Sequence, residues 1–437
     1  MNDPTPWSAA GGLRYGLLGL PLAFVALPLY VHLPHVYASQ FGTPLATLGM
    51  VLLLARVFDA VTDPWLGRLG DRLAARSGGH VLGAGAIAAG ALLLGMVLLF
   101  FPPWAQPGAP APLLAVLMLT CLAFSLLAIT HQAWCARLGG DEAQRARIVA
   151  WREGAGLVGV LLASVLPSWL GWGEWLAVFA LALALGCWAW SRGPRPQPAQ
   201  ANQATAAQAA GHWREELLHP WRHAPFRRLM AVFVLSGMAS AVPATLVLFF
   251  IQDRLDAAAQ SPLMLALYFA CAAASMPLWL RAVARWGLAR CWLAGMLLSV
   301  TVFVWAGTLS RGDATAFAWV CALSGLALGT DLALPGAMLA GMIAERGDRG
   351  QREGAYFGWW NLASKLNLAL AAGLALPLLQ ALGYRPGAAS EAGLQALTLA
   401  YAGLPCLLKL LAAATLYAAF IRRATRPSSP TPFAEAP

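Results

Sequence analysis

The sequence predicts an all-α membrane protein with about twelve transmembrane helices, arranged as two six-helix halves. Composition, hydropathy and an internal repeat support this prediction. Of the 437 residues, 59% are hydrophobic and only 11% are charged, whereas soluble domains carry roughly 25% charged residues. The mean hydropathy is +0.64. A soluble core cannot absorb so much apolar sequence, so most of the chain requires lipid as its solvent.

Apolar runs recur along the chain, and a membrane-spanning helix needs about 20 mostly apolar residues. The predicted spans are 15–37, 44–67, 80–101, 111–136, 148–171, 173–191, 225–252, 261–282, 288–309, 314–344, 354–383 and 393–421. A polar stretch rich in Ala, Gln and Pro interrupts this series at 192–222. We therefore predict an N-terminal half at 1–191, a cytoplasmic linker, and a C-terminal half with a short cytoplasmic tail at 223–437.

Basic residues are distributed unevenly between the two sides of the predicted membrane. With both termini inside, 22 of the 29 Lys and Arg residues fall in inner segments, three in outer loops and four within spans. Because cytoplasmic loops are enriched in basic residues, we predict a multi-pass protein of a bacterial-type inner membrane with both termini in the cytoplasm. This topology, and not nucleic acid binding, explains the net charge of +10.

One tetrapeptide recurs at the start of two spans about 200 residues apart. Arg-Glu-Gly-Ala occupies 152–155 at the start of span 5 and 352–355 at the start of span 11. A parallel repeat of two six-span halves resembles the major facilitator architecture. That architecture implies a substrate site between the halves near the middle of the membrane.

Span 2 carries three charged residues on one helix face. Asp59 and Asp63 are separated by four residues, and Arg56 precedes Asp59 by three. Each charge within a bilayer span costs about 2.5–3.5 kcal/mol, so this face should point to the interior of the bundle. Paired carboxylates can hold Na⁺ or share a proton, which predicts a site for a coupling cation. The alternative is a structural salt bridge to a neighbouring span.

Span 11 carries Lys365, one of only two lysines in the chain. A lysine at this depth needs a partner, and Asp59 or Asp63 is the expected one. If Lys365 competes with a cation for these carboxylates, occupancy of the site is coupled to conformation. The alternative is a lysine that extends to the membrane surface from a helix end. The role of the other lysine, Lys409, stays open.

The residues after span 2 predict a gating loop on the cytoplasmic side. Gly67 and other glycines there allow a tight turn and a close approach of helices, and Asp71 and Arg72 supply charges that can bridge to neighbours. The alternative is a solvated charged loop.

Several polar and aromatic residues are candidates for contact with a substrate. Arg152 either reaches a substrate or pairs with neighbours such as Glu153. Span 4 has a polar patch, and an aromatic ring of span 11 could stack on a sugar. The substrate-binding candidates are Arg152, His131, Gln132, Trp360 and Asn361. Asp331 in span 10 is either a functional acid or a capping or pairing residue.

Two stretches carry a resemblance to a known family. The run RVFDAVTDPWLG at 56–67 resembles the signature of the glycoside–pentoside–hexuronide:cation symporters, the melibiose-permease type of the major facilitator superfamily. The run REGAYFG at 352–358, followed by a Trp-Asn pair and Lys365, resembles the same family. The resemblance extends over about residues 12–423.

The resemblance implies the major facilitator fold and cation-coupled uptake. It also implies roles for single residues: Asp59 and Asp63 match the cation carboxylates of the family, and Ser125 stands where a hydroxyl ligand is expected. Lys365 matches the lysine of span 11, and Arg152 matches the arginine near the sugar.

The chain also departs from the family pattern. Galactoside-transporting members have an acid in span 1 and another in span 4, but span 1 of this chain has no acid, and Ala128 occupies the position in span 4. A sugar site needs polar groups that bond directionally to hydroxyls. The galactoside identity of the solute is therefore not implied.

We expect a secondary active transporter, not an enzyme, that couples the symport of a small organic solute, of the sugar or glycoside type, to Na⁺ or H⁺. Its expected partners are the solute, the coupling cation and the lipid bilayer, with no other cofactor or metal, and it is expected to act as a monomer. The alternative is a proton-driven exporter or carrier of amphiphilic, lipid-like molecules, since the family also includes lysolipid carriers.

Overall fold

A computed structural model describes residues 8–104, 109–196, 213–384 and 390–422. We number its long helices α1 to α12 in chain order and call the short helix Trp213–Arg222 the linker helix. Helix α1 consists of the segments Ala9–Gly16, Gly19–Leu27, Pro28–His32 and Leu33–Ser39. The next helices are α2 Leu45–Arg76, α3 Gly78–Phe100, α4 Pro110–Leu138, α5 Glu142–Val165 and α6 Trp172–Ser191.

After the linker helix come α7 Ala224–Phe249 with the π-helical turn Phe250–Arg254, α8 Ser261–Trp286, α9 Leu288–Ala306, α10 Ala314–Glu345 and α11 Glu353–Ala381. Helix α12 consists of the segments Glu391–Thr398, Leu399–Gly403, Leu404–Leu416 and Tyr417–Ile421. The described residues contain no strand, as the predicted all-α class requires.

Among the described residues, ten helical segments are long and apolar enough to cross a membrane. Helices α2 and α11 are not among these ten, although they are 32 and 29 residues long. They carry Asp59, Asp63 and Lys365 in their middle, and they pack against each other in the bundle. Together with the ten apolar segments, these two long helices match the number of predicted spans.

The observed helices extend beyond the apolar runs where capping groups support them. Asp141 is the N-cap of α5, and its carboxylate accepts a hydrogen bond of 2.7 Å from the backbone N–H of Gln144. Helix α5 therefore begins at Glu142, six residues before the predicted span.

The predicted gating loop after span 2 is wrong as a loop. Gly67, Asp71 and Arg72 lie within α2, which continues without interruption to Arg76. Leu66 and Leu73 pack one apolar side of this extension against the core. Tertiary packing thus outweighs the modest helix-breaking tendency of glycine.

Buried residues form two separate hydrophobic clusters. The first includes residues of α1 to α6 together with parts of α7 to α12, whereas the described members of the second all lie within 238–404. The two proposed halves therefore pack together at one end of the bundle and diverge at the other. We call the packed end the linker face, because the linker helix, the ends of α2 and α4, and the start of α11 lie there.

Some predictions about topology fall outside the described residues. These are the linker stretch 197–212 and the tail from 423 onwards. The division at 192–222 into two halves, and the placement of both termini in the cytoplasm, stay proposals.

Candidate functional site between α2, α4 and α11

Four polar side chains converge where α2, α4 and α11 meet. The Nζ of Lys365 lies 2.8 Å from Oδ1 of Asp63, 2.8 Å from Oδ2 of Asp59 and 2.7 Å from Oγ of Ser125. Ser125 in turn donates a hydrogen bond of 2.7 Å to Oδ1 of Asp59. We call these four residues the Lys365 cluster.

Helical spacing explains how α2 supplies two carboxylates to this cluster. Asp59 and Asp63 are one turn apart and are 2% and 0% exposed. Lys365, which reaches them from α11, has a side chain that is 20% exposed. Arg56 has an exposed side chain, and its role as a charge partner of the cluster stays a prediction.

The Lys365 cluster contains two carboxyl groups but one ammonium group. Burial makes an uncompensated charge costly. Oδ2 of Asp63 lies 2.8 Å from Nζ of Lys365 but accepts no hydrogen bond from any described residue. Carboxylate and hydroxyl oxygens are the ligands that hard cations prefer, so the cluster has the donors for one small monovalent cation or one proton.

A second polar contact lies one helical turn closer to the linker face. Nδ2 of Asn361 donates a hydrogen bond of 2.7 Å to Oε1 of Gln132, which joins α11 to α4. Both residues are substrate candidates from the sequence. In the structure their amide groups bond to each other.

A third polar layer surrounds the start of α11. Asp71 accepts hydrogen bonds of 2.6 Å from Arg137 and of 2.7 and 2.8 Å from the backbone N–H groups of Gly354 and Ala355. Arg137 also donates a bond of 3.1 Å to the fully buried carboxylate of Glu353. An acid at the N-terminus of α11 satisfies N–H groups that have no partner within the helix and complements the helix dipole.

Two members of this layer were not predicted as site residues. The sequence predicts no role for Arg137, and it indicates Glu353 only as part of the repeat at 352–355. The position of Glu353 in the first turn of α11 is the signal that could have indicated it. Arg72, a predicted member, has an exposed side chain and lies outside the layer.

Close backbone contact completes the linker face. A Cβ atom on Gly67 would lie 1.9 Å from the carbonyl oxygen of Gly354, so α2 and α11 can approach this closely only through glycine. Arg68 forms an ion pair with Glu216 of the linker helix. Glu353 and Lys365 are twelve residues apart on α11, which is about 18 Å along the helix axis. Polar contacts between α2, α4 and α11 therefore close the linker face over about 18 Å.

The remaining substrate candidates are engaged with neighbours inside the protein. Arg152 forms an ion pair with Glu153. His131 is fully buried, its Nε2 donates a hydrogen bond of 2.9 Å to the carbonyl oxygen of Tyr15, and its ring stacks on the Tyr15 ring. Trp360 stacks on Phe233 with ring centroids 3.6 Å apart. This packing argues against His131 and Trp360 as substrate contacts in the present conformation, and their roles stay predictions.

The sequence matches the family described as MFS/sugar transport protein over residues 8–423. The chain belongs to this family. Its similarity to the putative glycoside/cation symporter YagG of Escherichia coli strain K12 is 29% identity over 143 residues, which cover 32% of this chain and 30% of that protein. The match thus spans less than a third of the length of this curated relative.

Solved structures with low sequence identity share the fold of this family member. The crystal structure of a bacterial homologue of the iron transporter ferroportin, in an outward-facing state with soaked iron, gives a TM-score of 0.68 at 15% identity and covers 96% of this chain and all of that one. The proton:xylose symporter XylE of the major facilitator superfamily, bound to 6-bromo-6-deoxy-D-glucose, gives 0.62 at 14% identity and covers 94% of each chain.

Family membership and fold decide the broad class of the protein. The predicted major facilitator fold and the predicted relation to sugar symporters are confirmed. The protein is a multi-pass membrane transporter of a small-molecule solute, and it is not an enzyme.

Lys409, the other lysine of the chain, is buried, and the sequence predicts no role for it. Lys409 of α12 forms an ion pair with Asp331 of α10 and donates hydrogen bonds of 2.9 and 3.2 Å to Ser236 and Ser240 of α7. Trp292 of α9 donates a bond of 2.8 Å to the same acid. We call these five residues the Lys409 cluster. Of the alternatives for Asp331, the structure shows pairing.

Proposed function

We propose that the protein is a secondary active symporter that couples a small organic solute, of the sugar or glycoside type, to Na⁺ or H⁺. The observation that carries this proposal is the position of Lys365. Its Nζ lies 2.8 Å from a carboxylate oxygen of both Asp59 and Asp63, and it joins α11 to α2 and α4. The coupling ion and the lysine therefore compete for the same oxygens.

Competition at these oxygens provides a mechanism for coupling. In the absence of the ion, the ammonium group of Lys365 bonds to both carboxyl groups and holds the proposed halves together. A cation that binds Asp59, Asp63 and Ser125 repels the lysine and removes this link. The joint between α2 and α11 can then separate, and the linker face can open. By linkage, the solute must raise cation affinity by the same factor by which the cation raises solute affinity.

The solute class is supported by the family and by one relative. The family is described as MFS/sugar transport protein, and a relative is named a putative glycoside/cation symporter. Arg152 and the Gln132–Asn361 pair supply donors and acceptors that can bond to hydroxyl groups once they exchange partners.

The proposed architecture of two halves suits transport by alternating access. The halves 1–191 and 223–437 would rock around the site, connected by the linker 192–222. With both termini in the cytoplasm of a bacterial-type inner membrane, the linker face is cytoplasmic, and the described conformation is closed on that face. A single chain contains both halves and the whole site, which supports function as a monomer.

The cation site can be tested before the solute is known. We expect NaCl, compared with choline chloride, or an acidic pH to raise the thermal midpoint of the detergent-purified protein. Asp63→Asn should abolish this response, because it removes a charge from the Lys365 cluster. Asp331→Asn is the matched control, since it also neutralises a buried acid that is paired with a lysine, and it should retain the response.

Transport measurements test whether solute movement is coupled to an ion gradient and in which direction the solute moves. In proteoliposomes, an ion gradient should drive the accumulation of any sugar or glycoside that stabilises the wild type, and Asp63→Asn should only equilibrate it, at a concentration ratio of about one. Full accumulation by Asp63→Asn would contradict the cation site. Net movement of lysolipid from the linker face outwards, driven by protons, would instead show an exporter of amphiphiles.

A further inference from the structure

Three potential metal ligands meet on the linker face, outside the Lys365 cluster. His219 belongs to the linker helix, His223 immediately precedes α7, and Asp348 lies between α10 and α11. Their ligand atoms all lie within 4.8 Å of one another. Asp348 is 5% exposed, and both histidines are partly buried.

The distances within this group match a tetrahedral ion. Ligand bonds of 2.0–2.1 Å in a tetrahedron place neighbouring ligand atoms about 3.3–3.4 Å apart. Nε2 of His219 lies 3.1 Å from Nε2 of His223 and 3.1 Å from Oδ2 of Asp348, and His223 lies 3.9 Å from the same oxygen. A shift of a few tenths of an ångström per atom would bring all three onto one ion.

Neighbouring groups already orient the carboxylate. The hydroxyl of Tyr356 donates a hydrogen bond of 2.8 Å to Oδ2 of Asp348, and Arg352 donates one of 2.9 Å to Oδ1. The bond from the neutral Tyr356 hydroxyl fixes the direction of this carboxylate, as bonds to metal ligands do.

We propose that His219, His223 and Asp348 bind a divalent transition metal, for which Zn²⁺ fits best, and that the metal fastens the linker helix to the segment between α10 and α11. Two imidazoles and one carboxylate form a ligand set found in zinc sites with an open fourth position. Because the linker helix also contacts α2 through the Arg68–Glu216 pair, the bound metal holds the linker face closed.

The positive charge of Arg352 opposes metal binding, and its removal tests the proposed metal site. Nη1 of Arg352 lies 3.3 Å from Nε2 of His219, so the guanidinium group repels a cation at this place. Removing that charge with Arg352→Gln should tighten Zn²⁺ binding. If the three residues formed only a hydrogen-bonded relay, Arg352→Gln would not produce a tighter Zn²⁺ site.

Metal binding is measured on the full chain, purified in detergent without a polyhistidine tag. We expect calorimetry to show one high-affinity Zn²⁺ per protein, and Co²⁺ to give the visible absorption of a tetrahedral site. His223→Ala and His219→Ala should each weaken binding by at least about tenfold, because each removes a ligand. His80→Ala, which removes an exposed histidine near the start of α3, should not change binding.

Two results would overturn the metal site: no saturable Zn²⁺ binding by the wild type, or unchanged binding by both His219→Ala and His223→Ala. The further claim that the metal holds the linker face closed rests on the proposed function, and solute exchange tests it separately. Zn²⁺ added on that face of proteoliposomes should slow solute exchange by the wild type but not by His223→Ala. Equal slowing of exchange by the wild type and by His223→Ala would refute the claim that the metal closes the linker face. The calorimetry tests the metal site independently of transport.

Discussion

The two lysines of this transporter have similar polar surroundings but different connections. Lys365 contacts two acids and one serine, and it connects α11 with α2 and α4, which belong to different proposed halves. Lys409 contacts one acid and two serines, and it connects α12 with α7 and α10 within the proposed C-terminal half.

Charge and connectivity separate the two clusters. The Lys409 cluster is neutral, with one acid for one lysine, whereas the Lys365 cluster has one acid in excess. The contacts of Lys409 stay the same if a half moves as a rigid body, but those of Lys365 must break when the halves move apart. Under the proposed function, similar chemistry therefore serves stability in the Lys409 cluster and coupling in the Lys365 cluster.

The largest expected effect comes from replacing either lysine. Lys409→Met leaves Asp331 without its cation, and removing one partner of a buried pair costs about 3–5 kcal/mol. Lys365→Met leaves Asp59 and Asp63 without theirs, but a cation that reaches the site can substitute for the ammonium group. We expect both variants to lose thermal stability in choline chloride, measured by tryptophan fluorescence, and NaCl or acidic pH to restore only Lys365→Met.

The double variant Asp331→Leu/Lys409→Met controls for simple loss of packing. It should recover much of the lost stability, since apolar residues often replace a buried ion pair without net cost. Restoration of Lys409→Met by NaCl to the same degree as Lys365→Met would abolish the distinction between the clusters.

A smaller effect is expected at the contact between α2 and α11. A Cβ on Gly67 would lie 1.9 Å from the backbone of Gly354, and such overpacking costs about 1–3 kcal/mol. Because separation of the helices relieves the overlap, Gly67→Ala should shift the protein towards a conformation that is open at the linker face. Spin labels at the exposed positions Arg72 and Arg346, in a background without native cysteines, should report a longer distance between them.

Two glycine variants serve as controls for this shift. Gly295→Ala brings a Cβ within 2.0 Å of Thr330 inside the proposed C-terminal half, so it should lower stability without changing the distance between the labels. Gly49→Ala in α2 has open space around its Cβ and should change neither. An unchanged distance in Gly67→Ala would show that this contact does not limit opening.

Hydropathy and helical periodicity predict the features that depend on local sequence. The span boundaries follow from apolar runs, and the shared face of Asp59 and Asp63 follows from their spacing of four residues. The family resemblance added Ser125, which lies 2.7 Å from Lys365.

Features that depend on distant contacts could not be predicted in this way. The partners Asp63 and Lys365 are 302 positions apart, and the Arg137–Glu353 pair is separated by 216. No local pattern indicates that Arg137 contacts acids on two helices, or that Trp360 stacks on Phe233. The error at Gly67 has the same origin, because its contact with α11 allows a glycine to remain inside a helix.

The smallest expected effect comes from replacing Ser125 or Ser236, which accept hydrogen bonds from Lys365 and Lys409. These two bonds are 2.7 and 2.9 Å long. A hydrogen bond to a charged group contributes about 1.5–3 kcal/mol, so Ser125→Ala and Ser236→Ala should lower stability by similar amounts. Only Ser125→Ala should also weaken the response to Na⁺ or protons, since its hydroxyl is a proposed cation ligand. Titration of the thermal midpoint with NaCl, and with pH, compares the two variants directly. If both variants shift the titration midpoint equally, ion binding does not distinguish the Lys365 cluster from the Lys409 cluster, and coupling must be sought in a feature that they share.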